Sequence, residues 1–169
     1  SLDLKGSEYY TIYLRDLITE KNKEDIIENT SGAITWSLDS KSFFYSKLDK
    51  FHRPRQIFRH VIGTPIKEDK LIFEEKDETF TCSISLSSDE NFFVISTSDH
   101  ITTEEHFFPS NTNEIKPVLF QKRVKDVRYS IDSWKGFFYV HTNEDARDYK
   151  ILKCKVDQID KLEIFIPAK

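Results

Sequence analysis

Serine-based hydrolysis needs its nucleophile on a strained strand-to-helix turn, the Gly-x-Ser-x-Gly elbow. None of the four glycines in this 169-residue chain begins such a turn. The serines gather instead in turns such as Ser87-Ser88, where short hydroxyl side chains bond local backbone. The five histidines, His52, His60, His100, His106 and His141, show neither His-x-His nor His-Glu-x-x-His spacing. Zinc needs several convergent ligands, and a lone histidine in a strand is ordinarily packed or hydrogen-bonded. His60, which follows Arg59 in a strand-like run, is a lone histidine of this kind. The run Glu74, Glu75, Lys76, Asp77 and Glu78 reads as a solvated turn, with attraction of basic peptides as the alternative. Adjacent strand residues point to opposite faces, so this run does not form paired carboxylates for acid and base work. These residues support no catalytic, cofactor-binding or metal-binding assignment, and no cofactor.

Charge and cysteine usage narrow the class further. Charged residues make up 32% of the chain with a net charge of −4, and the small basic cluster Lys122, Arg123 and Lys125 is too short for a nucleic-acid footprint. Cys82 and Cys154 lie 72 residues apart without Cys-x-x-Cys spacing, so they read as reduced, partly buried thiols rather than as a disulfide or zinc knuckle. No apolar run reaches the ~20 residues that span a bilayer, and the N-terminus shows no signal-peptide pattern. The expectation is a cytoplasmic protein with no nucleic-acid or membrane partner.

The elements that carry these residues are strands. The 14 Phe and 7 Tyr, with only four Gly, favour an all-β fold. Three strings repeat the same order of parts: SLDSKSFFYSKLD from Ser37, SLSSDENFFVISTSD from Ser85, and SIDSWKGFFYVHTNED from Ser130. Each begins with Ser and an apolar residue, passes a polar turn and enters a strand through Phe-Phe; the third turn is placed at Asp132 to Gly136. The Phe pairs at 43/44, 92/93 and 137/138 are spaced by 49 and 45 residues, within the ~40 to 50 residue range of propeller blades. FFYS, FFVIST and FFYVHT do not alternate apolar and polar residues, which predicts neighbours on both faces.

The chain therefore reads as a partial β-propeller of about three and a half four-stranded antiparallel blades. Residues 1–30 form the outer half of a blade, and 31–78, 79–126 and 127–169 form three complete ones. Within the first complete blade, Ile57 to Ile62 and Leu71 to Phe73 pair as a hairpin across a connection with Gly63 and Pro65. Propellers typically close with about four to eight blades, so an isolated segment is expected to expose an apolar blade face and self-associate.

The string RQIFRHVIGT, Arg55 to Thr64, followed by EDKLIFEEKD, Glu68 to Asp77, closely resembles a propeller segment in the oligopeptidase B branch (protease II) of the prolyl oligopeptidase family of serine peptidases. The similarity extends more weakly from YTIYLRDL at Tyr10 to IPAK at Lys169. The resemblance implies a parent with a seven-bladed propeller over an α/β-hydrolase domain that bears the Ser, Asp and His of the triad. It implies cleavage of short peptides after Arg or Lys, with the propeller admitting small peptides and excluding folded proteins. No position here matches a triad residue, so the segment is expected to be inactive alone. Its implied partners are the hydrolase domain, the remaining blades and, through the parent, short basic peptides. The alternative is a stand-alone propeller-like interaction module without peptidase activity.

Overall fold

A computed structural model describes residues 1–112 and 114–169. The strands are β1 (Tyr10–Arg15), β2 (Asn22–Trp36), β3 (Ser42–Leu48), β4 (Pro54–Val61), β5 (Lys70–Glu74), β6 (Thr81–Leu86) and β7 (Phe92–Ser98). They continue with β8 (Thr103–Pro109), β9 (Val118–Gln121), β10 (Tyr129–Trp134), β11 (Phe137–Thr142), β12 (Lys150–Lys155) and β13 (Glu163–Ile166). Among the described residues the only helical element is a 3-10 turn, Ile66–Glu68. Three antiparallel meanders result, in the orders β1-β2-β3-β4-β5, β6-β7-β8-β9 and β10-β11-β12-β13. The all-β, blade-like architecture read from the sequence is the one observed. The chain forms two compact units, Ser1–Ile84 and Ser85–Lys169, each described by itself.

In the first unit, β2 is one long strand shared between two neighbours. Its first half pairs with β1 (Ile27 opposite Ile12) and its second half with β3 (Trp36 opposite Phe43), with a register break between Thr30 and Ile34. Asn29 at φ 59° and Gly32 at φ 84° lie at this break, where the chain leaves the extended conformation without ending the strand. The apolar run of β3 pays off as burial on both faces: Ser42, Phe43, Phe44, Tyr45 and Ser46 are all buried. The expected hairpin is β4–β5, with Ile57 opposite Phe73. Gly63, at φ 81°, supplies the left-handed conformation that its turn needs.

In the second unit, the β10–β13 sheet sends alternate residues into one core with β7, β8 and β9. Val94, Phe107, Phe120, Tyr129, Ile131, Phe138, Val140, Leu152 and Cys154 form that cluster. Phe138, fully buried, has ring centroids of Phe107 at 4.8 Å, Phe92 at 4.9 Å and Phe120 at 5.5 Å, in the offset and edge-on geometries that aromatic quadrupoles favour. The blade contact is also pinned by hydrogen bonds. The backbone N–H and Oγ of Ser88 donate to Asp132, and Ser133 Oγ donates to Asp89.

Two expectations change here. The turn between β10 and β11 is only Lys135-Gly136, at φ 51° and 83°, the left-handed pair of a two-residue hairpin; Asp132 and Ser133 belong to β10. And β11 alternates buried and less buried residues instead of being covered on both faces. Its second face carries Phe137, Tyr139 and His141, beside Trp134, Lys153 and Phe165. Trp134 and Phe165 are exposed, and Lys153 Nζ stands 5.4 Å from the ring centroids of both Phe137 and Phe165. FFYVHT is aromatic on this face without being buried there.

Truncating the hub ring leaves a cavity at the meeting of two sheets. Phe138→Ala is expected to cost about 3 to 5 kcal/mol, read from urea unfolding, whereas Phe138→Leu should cost clearly less.

Candidate functional site

β3 and β4 pair with Phe43 opposite His60, and their rings pack at 5.2 Å. His60 is wholly buried, and both of its ring nitrogens meet carboxylates. Nε2 is 2.8 Å from Asp25 Oδ1 on β2, and Nδ1 is 2.7 Å from Asp69 Oδ1, just after the 3-10 turn. Asp25 Oδ1 also accepts the Gly63 backbone N–H at 2.6 Å, and Asp69 Oδ2 accepts the Tyr45 hydroxyl at 2.8 Å. One polar chain thus ties β2, β3, β4 and the β4–β5 connection together.

An imidazole makes both of these bonds as donations only when it carries a proton on each nitrogen. Burial alone would push the Asp25 carboxyl up; the Gly63 N–H and His60 outweigh it and hold the group below the ordinary aspartate value. The Tyr45 hydroxyl is pushed up by burial and by Asp69 beside it, so it remains a donor. With both nitrogens occupied and no exposed surface, His60 has no free lone pair for a metal or a substrate proton. The geometry makes it a clamp, in line with the bond within the blade read from the sequence.

Beside the clamp, Lys23, Glu24, Asp25, Ile62, Gly63, Thr64, Pro65 and Ile66 line a cleft of about 530 Å³. Its rim is polar, and it contains no serine or cysteine nucleophile.

The other residues singled out in the sequence are dispersed. His52 is exposed and meets Tyr9 edge-on at 4.0 Å; His141 stacks on Tyr149 at 4.6 Å. Among the described residues no three His, Cys, Asp or Glu groups converge as metal ligands. Cys82 and Cys154 are free and buried, with burial pushing their thiols up to about 12 and about 11, far from the thiolate a nucleophile requires. The acidic run is not wholly solvated, which corrects the sequence reading. Glu75 is buried, its Oε1 accepting the Asp77 N–H at 2.9 Å and its own N–H donating to Arg55 O at 2.8 Å. Arg123 of the basic cluster pairs with Glu104 at 3.0 Å. Asp25 and Asp69 lie 35 and 9 residues from His60, separations that carry no local pattern in the sequence.

Removing one member of a buried ionic chain leaves the others unpaired. His60→Leu is expected to cost about 3 to 5 kcal/mol in urea unfolding. Because the Asp25 value is lowered on folding, its contribution is complete above pH 3.8 and is lost as pH falls through the lowered value. Asp25→Asn should therefore flatten the acid limb of the stability curve.

The fold and this geometry can be set against known proteins. The family described as "Prolyl oligopeptidase, N-terminal beta-propeller domain" matches residues 1–169. Protease 2 of Moraxella lacunata is 32% identical over 91% of this chain and 23% of its own length. Dipeptidyl aminopeptidase BI of Pseudoxanthomonas mexicana is 30% identical over 94% of the chain and 22% of its own. Among solved structures, oligopeptidase B from Leishmania major superposes with a TM-score of 0.94 at 25% identity, over 99% of this chain and 24% of that one. Oligopeptidase B from Trypanosoma brucei, in a closed form with covalently bound antipain, gives 0.82 at 25% identity over 87% of this chain and 21% of that one. The chain thus spans under a quarter of the curated relatives it matches here. Matched along its whole length by the N-terminal β-propeller domain, this chain belongs to the prolyl oligopeptidase family.

Proposed function

We propose that this chain is a segment of the substrate-gating β-propeller of an oligopeptidase B-like serine endopeptidase, which hydrolyses short peptides after Arg or Lys. The observation that carries the reading is the superposition on Leishmania major oligopeptidase B, at a TM-score of 0.94 over 99% of the chain. Catalysis lies outside this segment: it has no serine elbow, and both nitrogens of its buried histidine are engaged. The missing blades complete a seven-bladed ring, a hydrolase domain supplies the triad, and the enzyme works in the cytoplasm on short basic peptides.

The aromatic cluster around Phe138 supports the gating reading: blades joined by such a contact do not part easily, and a ring built of them would refuse polypeptides larger than its opening. The alternative, a stand-alone interaction module, draws on the exposed aromatic face of β10–β13.

Four measurements test this reading. The open reading frame should continue past Lys169 into a domain with a Gly-x-Ser-x-Gly elbow, and its product should cleave a short arginine peptide with sensitivity to serine-reactive reagents. A stop codon after Lys169 would favour the interaction module, and serine-reagent-sensitive cleavage by the 169-residue chain alone would overturn the assignment of catalysis elsewhere. In the full-length enzyme, Phe138→Ala should admit larger polypeptides while sparing short-peptide turnover. By itself the chain should self-associate through Trp134, Tyr139 and Phe165; a monodisperse monomer in sedimentation at high concentration would contradict that.

A further inference from the structure

Glu105 of β8 is 2% exposed, and its surroundings offer it no counter-ion. It sits opposite Ser96 on β7 and Gln121 on β9. Ser96 Oγ donates to its Oε2 at 2.6 Å, and the backbone N–H of Glu105 donates to the Tyr129 hydroxyl at 2.9 Å. That hydroxyl donates onward to Gln121 O at 2.5 Å. Among the described residues no Lys, Arg or His lies within ion-pair distance of the Glu105 carboxyl. The neighbouring Glu104 is different: its carboxylate takes the Arg123 guanidinium at 3.0 Å and the Arg123 backbone N–H at 2.8 Å. A buried carboxyl normally comes with such a partner, because the desolvation penalty is otherwise uncompensated.

Glu105 lines a cleft of about 340 Å³ with Ser96, Ser98, Thr103, Ser130, Arg128, Tyr129, His141 and Tyr149, within the size range of small-ligand sites. Ser96, Ser98, Thr103 and Ser130 bring hydroxyl groups to the lining, and one wall is the stacked pair His141 and Tyr149, with centroids 4.6 Å apart. Tyr149 holds φ at 64°, an unusual conformation for a bulky residue. Arg128, at the rim, is exposed and makes no ion pair among the described residues. Carboxyl, hydroxyl oxygens and an aromatic face are what a desolvated nitrogen cation needs: a counter-ion, hydrogen-bond acceptors and a π surface.

We propose that this cleft binds a compact cation with N–H donors, a primary ammonium or a guanidinium, using Glu105 as its counter-ion. Burial pushes the Glu105 carboxyl up to about 8, so at neutral pH the empty cleft holds it mainly as the acid. Arrival of the cation breaks the O–H bond of Glu105. The proton passes to the buffer, and the carboxylate accepts an N–H of the ligand. The other ionisable groups facing the site are Tyr129 on β10, whose hydroxyl is pushed up by burial and stays neutral, Arg128 at the rim, His141 on β11 and Tyr149 in the following loop. Arg128 is a like charge that opposes the ligand.

Calorimetric titration of the 169-residue chain with methylguanidinium and butylammonium tests the site at pH 7. Runs in PIPES and HEPES should give heats that differ by their ionisation enthalpies, reporting release of most of one proton. Tetramethylammonium, which has no N–H donor, should bind at least tenfold more weakly. Glu105→Gln, close in shape, should lose at least tenfold in affinity and all of the proton release, and Arg128→Ala should tighten binding several-fold. An Arg-containing tripeptide binding more tightly than methylguanidinium would identify a peptide side chain as the source of the cation; equal binding would identify a free one. No heat at millimolar cation, binding unchanged in Glu105→Gln, or binding of inorganic phosphate instead would overturn the proposal.

A second measurement stands apart from the ligand. A folded-state value raised from 4.5 to about 8 means that the folded protein holds a proton the unfolded chain releases, so stability falls as pH rises across that window. Glu105→Gln should remove that fall, and a wild-type stability curve level over the window would overturn the buried-acid premise.

Discussion

A four-stranded meander has two apolar faces and cannot cover either with its own backbone, so its central strands must be buried by something packed against the sheet. That demand organises this chain more than any single bond. In the second unit it is met by sheet-on-sheet packing around Phe138, whose ring is surrounded by those of Phe92, Phe107 and Phe120. Contacts of this kind bring a few kcal/mol per large side chain, and they are directional enough to fix one arrangement. The reciprocal bonds between Ser88 and Asp132 and between Ser133 and Asp89 then set the register. The demand is left unmet on the face that carries Trp134 and Phe165, where large aromatic side chains stay exposed.

The His60 chain solves a different problem. The β4–β5 connection needs a left-handed residue at Gly63 and a 3-10 turn, and such a loop gains little from apolar burial. Asp25 takes the Gly63 N–H while holding His60, and Asp69 closes the turn while holding the same ring. A buried ionic chain contributes little net stability against a well-packed apolar substitute. Its value here is geometric: three strands and a loop can satisfy these donors and acceptors in only one relative position.

Much of this was legible because some signals are local. The Phe-Phe pairs mark the starts of β3, β7 and β11, and one or both residues of each pair are buried. Gly63 and Pro65 mark the β4–β5 connection. The rest required partners from distant segments. Nothing near Asp25 says that it will meet a histidine 35 residues later. Glu75 in its charged run gives no hint that its carboxylate bonds backbone two residues on. Sequence alone puts the β10–β11 turn too early, because Asp132 and Ser133 look like turn residues; in the fold their side chains serve the neighbouring blade. FFYVHT reads as doubly buried, since composition cannot tell an aromatic face in contact with a blade from one that faces outward.

Glu104 and Glu105 show how far identity falls short of role. The two are adjacent on one strand, so their side chains leave opposite faces of the sheet, and both are buried. Burial opposes ionisation in each case, yet Arg123 holds Glu104 below the ordinary glutamate value, while at Glu105 the single Ser96 hydrogen bond leaves burial dominant. A position needing only to fill space between blades would be served by an apolar side chain, and one needing only a hydrogen-bond acceptor for Ser96 would be served by glutamine at lower desolvation cost. A carboxyl adds to these the capacity to become an anion when a cation arrives. The site's lack of a built-in counter-ion and the space beside it are therefore two parts of one arrangement.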